Sequence, residues 1–130
     1  MNQRFSRPRV LVVDDEAIVR RIAAQILTAA GFDVLTAVDG QEAYAIASHL
    51  DADLSLVLTD VRMPNMDGLE LGRALATLRP GLPVLYMSGF GAPASSAEVP
   101  AARFIEKPFL PDHLLEGVWG VLPPADPTPT

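Results

Sequence analysis

The chain of 130 residues contains no cysteine. Disulfide bonds, thiolate metal sites and cysteine nucleophiles are therefore excluded. The sequence also lacks any apolar run that approaches the roughly 18 residues of a membrane span. Its first ten residues, MNQRFSRPRV, lack the long apolar core of a signal peptide. We therefore expect a cytoplasmic protein that does not bind a membrane.

Basic residues are scarce, with 10 Lys and Arg against 16 Asp and Glu and a formal net charge of −6. Coating a nucleic acid requires clustered positive charge, so direct nucleic-acid binding is not expected. The hydrophobic fraction of 49% is enough for a core, and the length fits one domain. We predict an N-terminal extension at 1–8, a folded domain at 9–122 and a disordered proline-rich tail at 123–130.

Short apolar runs alternate with segments of helical periodicity along the chain. The predicted strands cover 9–13, 32–37, 54–59, 83–88 and 102–106, with helices between them and after the last. The first helix, at 16–30, has an apolar face on which Ile18, Ile22 and Ile26 recur every four residues, flanked by Val19, Ala23, Leu27 and Ala30. Arg20, Arg21 and Gln25 are expected to face away from it. This alternation predicts an α/β, flavodoxin-like (βα)5 fold, with a five-stranded parallel sheet in the order 2-1-3-4-5 and helices on both faces.

Polar residues follow four of the five predicted strands. Asp14 and Asp15 follow the first, Asp60 the third, Ser88 the fourth and Lys107 the fifth. The carboxyl ends of parallel strands share one edge of a sheet, so these side chains should converge there. Clustered carboxylates repel each other and need a counter-charge, and Mg²⁺ prefers oxygen ligands.

An aspartate can act as the nucleophile of phosphoryl transfer. Asp60 stands alone at the end of a central strand, which favours it as the phosphoryl acceptor. The adjacent pair of Asp14 and Asp15 is better suited to holding the cation.

Four motifs occur in order along the chain: VVDDE at 12–16, TDVRMPNMDG at 59–68, MSG at 87–89 and EKPF at 106–109. Together they resemble the receiver domain of bacterial two-component response regulators. The resemblance implies that Asp60 is phosphorylated from a phosphohistidine on a sensor histidine kinase or a histidine phosphotransfer protein. It also implies that Mg²⁺, with Mn²⁺ as a possible substitute, is held by Asp15, Asp60 and the Arg62 carbonyl, with Asp14 acting largely through water.

The same resemblance assigns further roles. Ser88 would be the switch hydroxyl, Lys107 the ligand of the phosphoryl group and Phe104 the switch aromatic, with a cis peptide bond between Lys107 and Pro108. Arg62 and Phe90 lie two residues after Asp60 and Ser88, at positions that tune hydrolysis of the phosphate in the family. The chain would be a signalling phosphoacceptor that acts on a downstream protein, as a monomer or a weak phosphorylation-dependent dimer.

The segment between Ser88 and Phe104 departs from the family pattern. It should contain the fourth helix, but it carries Pro93 and Pro100. A proline inside a helix costs about 3 kcal/mol, so the two prolines bracket at most two turns. We predict a short or mobile fourth helix.

Three alternatives stay open. The MSG-to-KPF pattern also resembles receivers at the C-terminus of hybrid histidine kinases, of which the chain would be a piece. A Mg²⁺-dependent phosphatase with an aspartate nucleophile is a second class, although the dehalogenase type carries D-x-D after its first strand, where this chain reads DDE. A pseudo-receiver that only binds partners is a third, and the full set of Asp, Ser and Lys argues against it. We expect no kinase ATP site and no output domain in this chain. We also expect no enzymatic activity beyond self-catalysed phosphoryl transfer and autodephosphorylation.

Overall fold

The strands form one parallel sheet. The computed structural model describes residues 7–49, 53–89 and 99–122. In these residues the strands are β1 (Arg9–Val13), β2 (Asp33–Ala37), β3 (Leu56–Asp60), β4 (Val84–Ser88) and β5 (Phe104–Glu106). Their order in the sheet is β2-β1-β3-β4-β5, and every neighbouring pair is parallel. The predicted fold class and strand order are confirmed.

Four α-helices connect or follow these strands in the described residues: α1 (Ala17–Ala29), α2 (Gly40–Ser48), α3 (Gly68–Leu78) and α4 (Pro111–Val121). The helix predicted between Pro93 and Pro100 falls on residues 90–98, which lie outside the described residues. None of the described helices combines the length and the hydropathy needed to cross a bilayer.

The sheet separates two apolar clusters because alternate strand residues point to opposite faces. On β1, Val10 and Val12 pack with buried residues of α1 and α4, whereas Leu11 and Val13 pack with those of α2 and α3. Every residue of β3 is buried, as expected for a central strand covered on both faces. The rigid centre of the sheet therefore ends at Asp60.

Four strands start later than predicted, β2 and β4 by one residue and β3 and β5 by two. β3 runs from Leu56 to Asp60 rather than over 54–59, so the carboxylate belongs to the last residue of the strand. β5 begins at Phe104 because Ala101–Arg103 forms a 3₁₀ turn. Most of the predicted N-terminal extension and the whole predicted tail lie outside the described residues.

The predicted apolar face of α1 is only partly buried. Ile18 is 69% exposed and Ile22 45% exposed, whereas Ala23 and Leu27 are fully buried. The helix carries two adjacent apolar stripes, and periodicity does not choose between them. The small side chain of Ala23 lets the helix approach the sheet closely, which leaves the bulkier isoleucines Ile18 and Ile22 toward the solvent.

Candidate functional site

Three carboxylates meet at the carboxyl edge of the sheet. Asp14 follows β1 and is fully buried, Asp60 ends β3 and is 6% exposed, and Asp15 is exposed. One carboxylate oxygen from each of the three lies within 4.8 Å of the other two. The convergence predicted for these three aspartates is therefore present in the structure.

Lys107 supplies positive charge to this cluster. Its Nζ lies 3.3 Å from Asp14 Oδ2, 3.4 Å from Asp60 Oδ1 and 3.5 Å from Glu16 Oε1. Only 14% of the lysine side chain is exposed, and it donates a hydrogen bond to Asp14. One ammonium thus faces three carboxylate groups, and the site as a whole remains negatively charged.

The main chain fixes where the polar side chains begin. Just past the strand ends, Val61 N donates to the Met87 carbonyl (3.1 Å) and Lys107 N to the Ser88 carbonyl (2.8 Å). These bonds extend the parallel ladder by one step on either side of β4. Asp60 and Lys107 are therefore positioned by hydrogen-bonded backbone rather than by free loops.

Gly68 brings the start of α3 against the phosphoacceptor candidate. Its N–H donates to the Val61 carbonyl at 2.8 Å. A Cβ at this position would collide with the main-chain carbonyl oxygen of Asp60. Only glycine permits this approach, so Gly68 in the second motif is required by packing. The preceding Asp67 forms a capping box with Glu70.

Burial and mutual repulsion perturb the charges. The pKa of Asp60 is raised to about 6, first by burial and then by the charge of Asp14, while Lys107 opposes the change. Burial also raises the pKa of Asp14, against the Glu16 N–H and Lys107, which favour its ionised form. For Lys107, burial lowers the pKa, but attraction to Asp14 and Asp60 outweighs it and the net direction is upward. The positive charge of Lys107 is therefore too small to offset the effects of burial and repulsion on the two buried carboxyls.

The donor set fits a hard divalent cation. Mg²⁺ binds oxygen at about 2.0–2.1 Å in an octahedron, so its ligand oxygens lie about 3–4 Å apart. One oxygen from each of Asp14, Asp15 and Asp60 lies within 4.8 Å of the other two, which is close to this spacing. A cation here would also relieve the repulsion that raises the pKa of Asp60.

The remaining predicted residues lie at different distances from this centre. Ser88 is 4% exposed at the end of β4, next to the strand that ends at Asp60. The peptide bond between Lys107 and Pro108 is cis. Arg62 is exposed on the loop after β3, and Phe90 lies outside the described residues.

Phe104 lies on the face of the sheet that packs against α3. It pairs with Tyr86 across β4 and β5, and the two rings stack with centroids 5.3 Å apart. The hydroxyl of Tyr86 occupies the position where a Cβ on Gly72 of α3 would stand. The half-buried Phe104 is therefore held in a β5-β4-α3 contact.

Two contacts of this site were not predicted from the sequence. Glu16 forms an ion pair with Lys107, and Arg20, expected to face away, donates to the Asp14 carbonyl at 2.7 Å. Glu16 is in the VVDDE motif, which was the available signal. Arg20 had no such signal because its direction depends on how α1 rotates against the sheet.

Comparison with known proteins agrees with the geometry. The profile of the family described as "Response regulator receiver domain" matches residues 10–118. The chain is 37% identical over 113 residues to the C4-dicarboxylate transport transcriptional regulatory protein DctD of Rhizobium meliloti (strain 1021), covering 84% of this chain and 24% of that protein. It is 35% identical over 104 residues to the response regulator receiver protein CpdR of Brucella abortus (strain 2308), covering 78% and 85% respectively.

Among solved structures, the chemotaxis response regulator CheY4 of Vibrio cholerae superimposes with a TM-score of 0.79 at 34% identity, covering 90% of this chain and 100% of that one. The match spans about a quarter of DctD but most of CpdR, so the likeness is to the receiver portion of each protein. The family match, these relatives and the acidic edge of the sheet agree, and the chain belongs to the response regulator receiver domain family.

Proposed function

We propose that this receiver domain accepts a phosphoryl group on Asp60 from a phosphohistidine and changes its protein contacts in response. The observation that carries the proposal is the convergence of Asp14, Asp15 and Asp60, with Lys107 within 3.5 Å of both Asp14 and Asp60. Such a site can neutralise the charge of an incoming phosphoryl group while presenting one carboxylate as nucleophile.

Asp60 suits the nucleophilic role because its pKa of about 6 leaves it mainly ionised at pH 7. In the transfer, an Asp60 carboxylate oxygen forms a bond to phosphorus as the bond between phosphorus and the donor nitrogen breaks. The imidazole keeps the electron pair of that bond and takes a proton from solvent. The chemistry is largely positioning and charge neutralisation, so no base is needed to deprotonate the nucleophile.

The other residues have distinct proposed tasks. The carboxylates of Asp14, Asp15 and Asp60, with the Arg62 carbonyl, would hold Mg²⁺, or Mn²⁺ in its place. When bound, the cation supplies charge neutralisation for the phosphoryl oxygens. Lys107 would exchange part of its contact with Asp60 for a phosphoryl oxygen, and Ser88 would donate its hydroxyl to the same group.

A groove beside Lys107 supports docking of a protein donor. A cavity of about 330 Å³ opens there, lined by Glu16, Val19, Ile22, Gly89 and Lys107, with Pro108 and Phe109 completing it. Its walls combine the exposed side of α1 with the turn after β5. We propose that a sensor histidine kinase or a phosphotransfer protein docks at this groove, in the cytoplasm, and that a separate downstream protein reads the phosphorylated state.

The experiment is incubation of the full chain with acetyl phosphate or phosphoramidate and Mg²⁺, followed by intact mass measurement. We expect one added phosphoryl group on the wild type, none on Asp60→Asn, and one on the control Asp33→Asn, which makes the same charge change at the opposite edge of the sheet. No added mass on the wild type, or an equal gain in Asp60→Asn, would overturn the assignment.

Three finer roles have their own tests. If Arg62 restricts the attacking water, the aspartyl phosphate of Arg62→Ala loses its phosphate faster than that of the wild type. The equivalent test for Phe90 is Phe90→Ala. If Phe104 is a switch aromatic, Phe104→Ala accepts phosphate but no longer alters binding of the downstream partner. An unchanged decay rate or an unchanged binding response would remove the corresponding role.

The phosphatase alternative is not favoured. Asp60 ends β3 rather than following β1, and Lys107 and Ser88 complete a receiver-like set around it.

A further inference from the structure

Arg20 on α1 reaches back to the start of the acidic loop. Its Nη1 donates to the main-chain carbonyl of Asp14 at 2.7 Å, and its side chain is half-buried. The acceptor is the backbone of a fully buried residue whose carboxylate belongs to the metal-binding cluster. The contact is charge-assisted and short, so it constrains the acceptor more strongly than a neutral hydrogen bond would.

The strand ladder does not extend to this carbonyl. The Asp14 N–H still donates to Ala37, the last residue of β2. In a parallel ladder the next donor would be the N–H of Asp39, but Asp39 is already the N-cap of α2. Arg20 therefore supplies a donor to a buried carbonyl at the point where β2 turns away from β1.

All the polar groups of Asp14 are consequently held. The N–H is bonded to Ala37, Oδ1 accepts from Glu16 N at 2.9 Å, Oδ2 faces Lys107, and the carbonyl accepts from Arg20. The first three contacts orient the residue itself. The Arg20 contact alone acts on the peptide group that joins Asp14 to Asp15.

That peptide group determines where Asp15 points. Because the peptide is planar, fixing its oxygen also fixes the direction in which the chain enters Asp15. Asp15 is exposed, so packing does not orient its carboxylate. The backbone must do so if Asp15 is to stay within 4.8 Å of the other two carboxylates.

We propose that Arg20 is a positioning residue that sets the Mg²⁺ affinity of the acidic cluster by holding the Asp14 carbonyl. The inference rests on the proposed function, because it assumes that Asp14, Asp15 and Asp60 bind the cation. Groups that hydrogen-bond to metal ligands without touching the metal typically lower the metal affinity by about 10–100-fold when they are removed. Arg20 would act at the lower end of this range because it orients the ligand through the main chain.

The test compares Arg20→Gln with Arg21→Gln in the full chain. Arg21 is the adjacent, exposed arginine of the same helix, so both variants change the net charge equally. Mg²⁺ affinity is measured by calorimetry, and urea unfolding in EDTA shows that each variant is folded. We expect Arg20→Gln to bind Mg²⁺ about tenfold more weakly than Arg21→Gln. Equal affinities in these two variants would overturn the proposal.

A second variant separates geometry from charge. Arg20→Lys keeps the positive charge but not the planar guanidinium, and we expect weakened Mg²⁺ binding in it as well. Full wild-type affinity would show that charge alone matters and would overturn the proposal. If Arg20→Gln does not fold, Arg20→Lys against Arg21→Lys carries the comparison.

Phosphorylation kinetics give an independent readout. With acetyl phosphate as donor, Arg20→Gln should need about tenfold more Mg²⁺ for half-maximal rate, while its rate at saturating Mg²⁺ stays within about twofold of wild type. A lower saturating rate with an unchanged Mg²⁺ requirement would contradict a positioning role. If the wild type itself bound no Mg²⁺, the proposed metal site would fail, which is a different result from equal affinities in the two glutamine variants.

Discussion

Replacing Asp60 by Asn should stabilise the metal-free protein. The pKa of Asp60 is raised from 3.8 to about 6 by burial and by Asp14, with the attraction to Lys107 already included in that value. Between these two pH values the unfolded chain loses a proton that the folded chain keeps, so stability falls as the pH rises. Asn resembles the protonated carboxyl in shape and removes the penalty.

The magnitude follows from the size of the shift. At about 1.4 kcal/mol per pKa unit, the wild type loses about 3 kcal/mol of stability at pH 7, about half of that at pH 5 and well under 1 kcal/mol at pH 4. The free energy of unfolding of Asp60→Asn should therefore exceed that of the wild type by up to about 3 kcal/mol at pH 7 and by almost nothing near pH 3.

Urea unfolding in EDTA at a series of pH values measures this difference. The control Asp33→Asn lies at the start of β2, away from the acidic edge, and should show a much smaller pH-dependent gain. Adding Mg²⁺ should narrow the gap, since the cation stabilises the wild type by binding its folded form. A difference that is absent at pH 7, or that has the same size at pH 4 and pH 7, would refute the electrostatic explanation.

Three further changes test the packing that supports the site. Gly72→Ala places a Cβ on the hydroxyl of Tyr86 and should lower the free energy of unfolding by about 1–3 kcal/mol. Urea unfolding should show that the double variant with Tyr86→Phe recovers this loss, and the absence of recovery would contradict the steric cause. Arg79→Ala removes two charged hydrogen bonds to carbonyls at the end of α2 and should lower the free energy of unfolding by about 1.5–3 kcal/mol. Amide hydrogen exchange in α2 should become faster, and unchanged exchange would show that these bonds do not hold the helix end. Asp67→Ala removes the cap of α3 and should lower the free energy of unfolding by about 0.5–2 kcal/mol, and with it the thermal midpoint. Asp67→Asn keeps a capping oxygen and should lose much less stability, so equal losses in the two variants would argue against capping.

The sequence predicted the parts of the site that depend on topology. Asp14, Asp60 and Lys107 could be placed at one edge because parallel strands end there together, and strand order made β1 and β3, which carry the two aspartates, neighbours. No knowledge of side-chain rotamers was needed for that inference. The same reasoning located Ser88 at the end of β4.

The parts that were missed depend on rotation and local pairing. Ile22 and Ala23 belong to different apolar stripes of α1, and only contact with the sheet decides which is buried. That same rotation carries Arg20 to the Asp14 carbonyl. Asp60 was placed just after β3 rather than in it, because the neighbouring strand extends the ladder by one residue.

Lys107 has a mechanical consequence for the sheet. It comes from β5, three strand spacings or about 14 Å from β1 at about 4.8 Å each, and its side chain passes beside Gly89 to reach Asp60 and Asp14. The three-residue β5 is thus tethered to the middle of the sheet by an ammonium group as well as by its ladder. A change of charge on Asp60 therefore acts directly on the edge strand β5 through this ion pair.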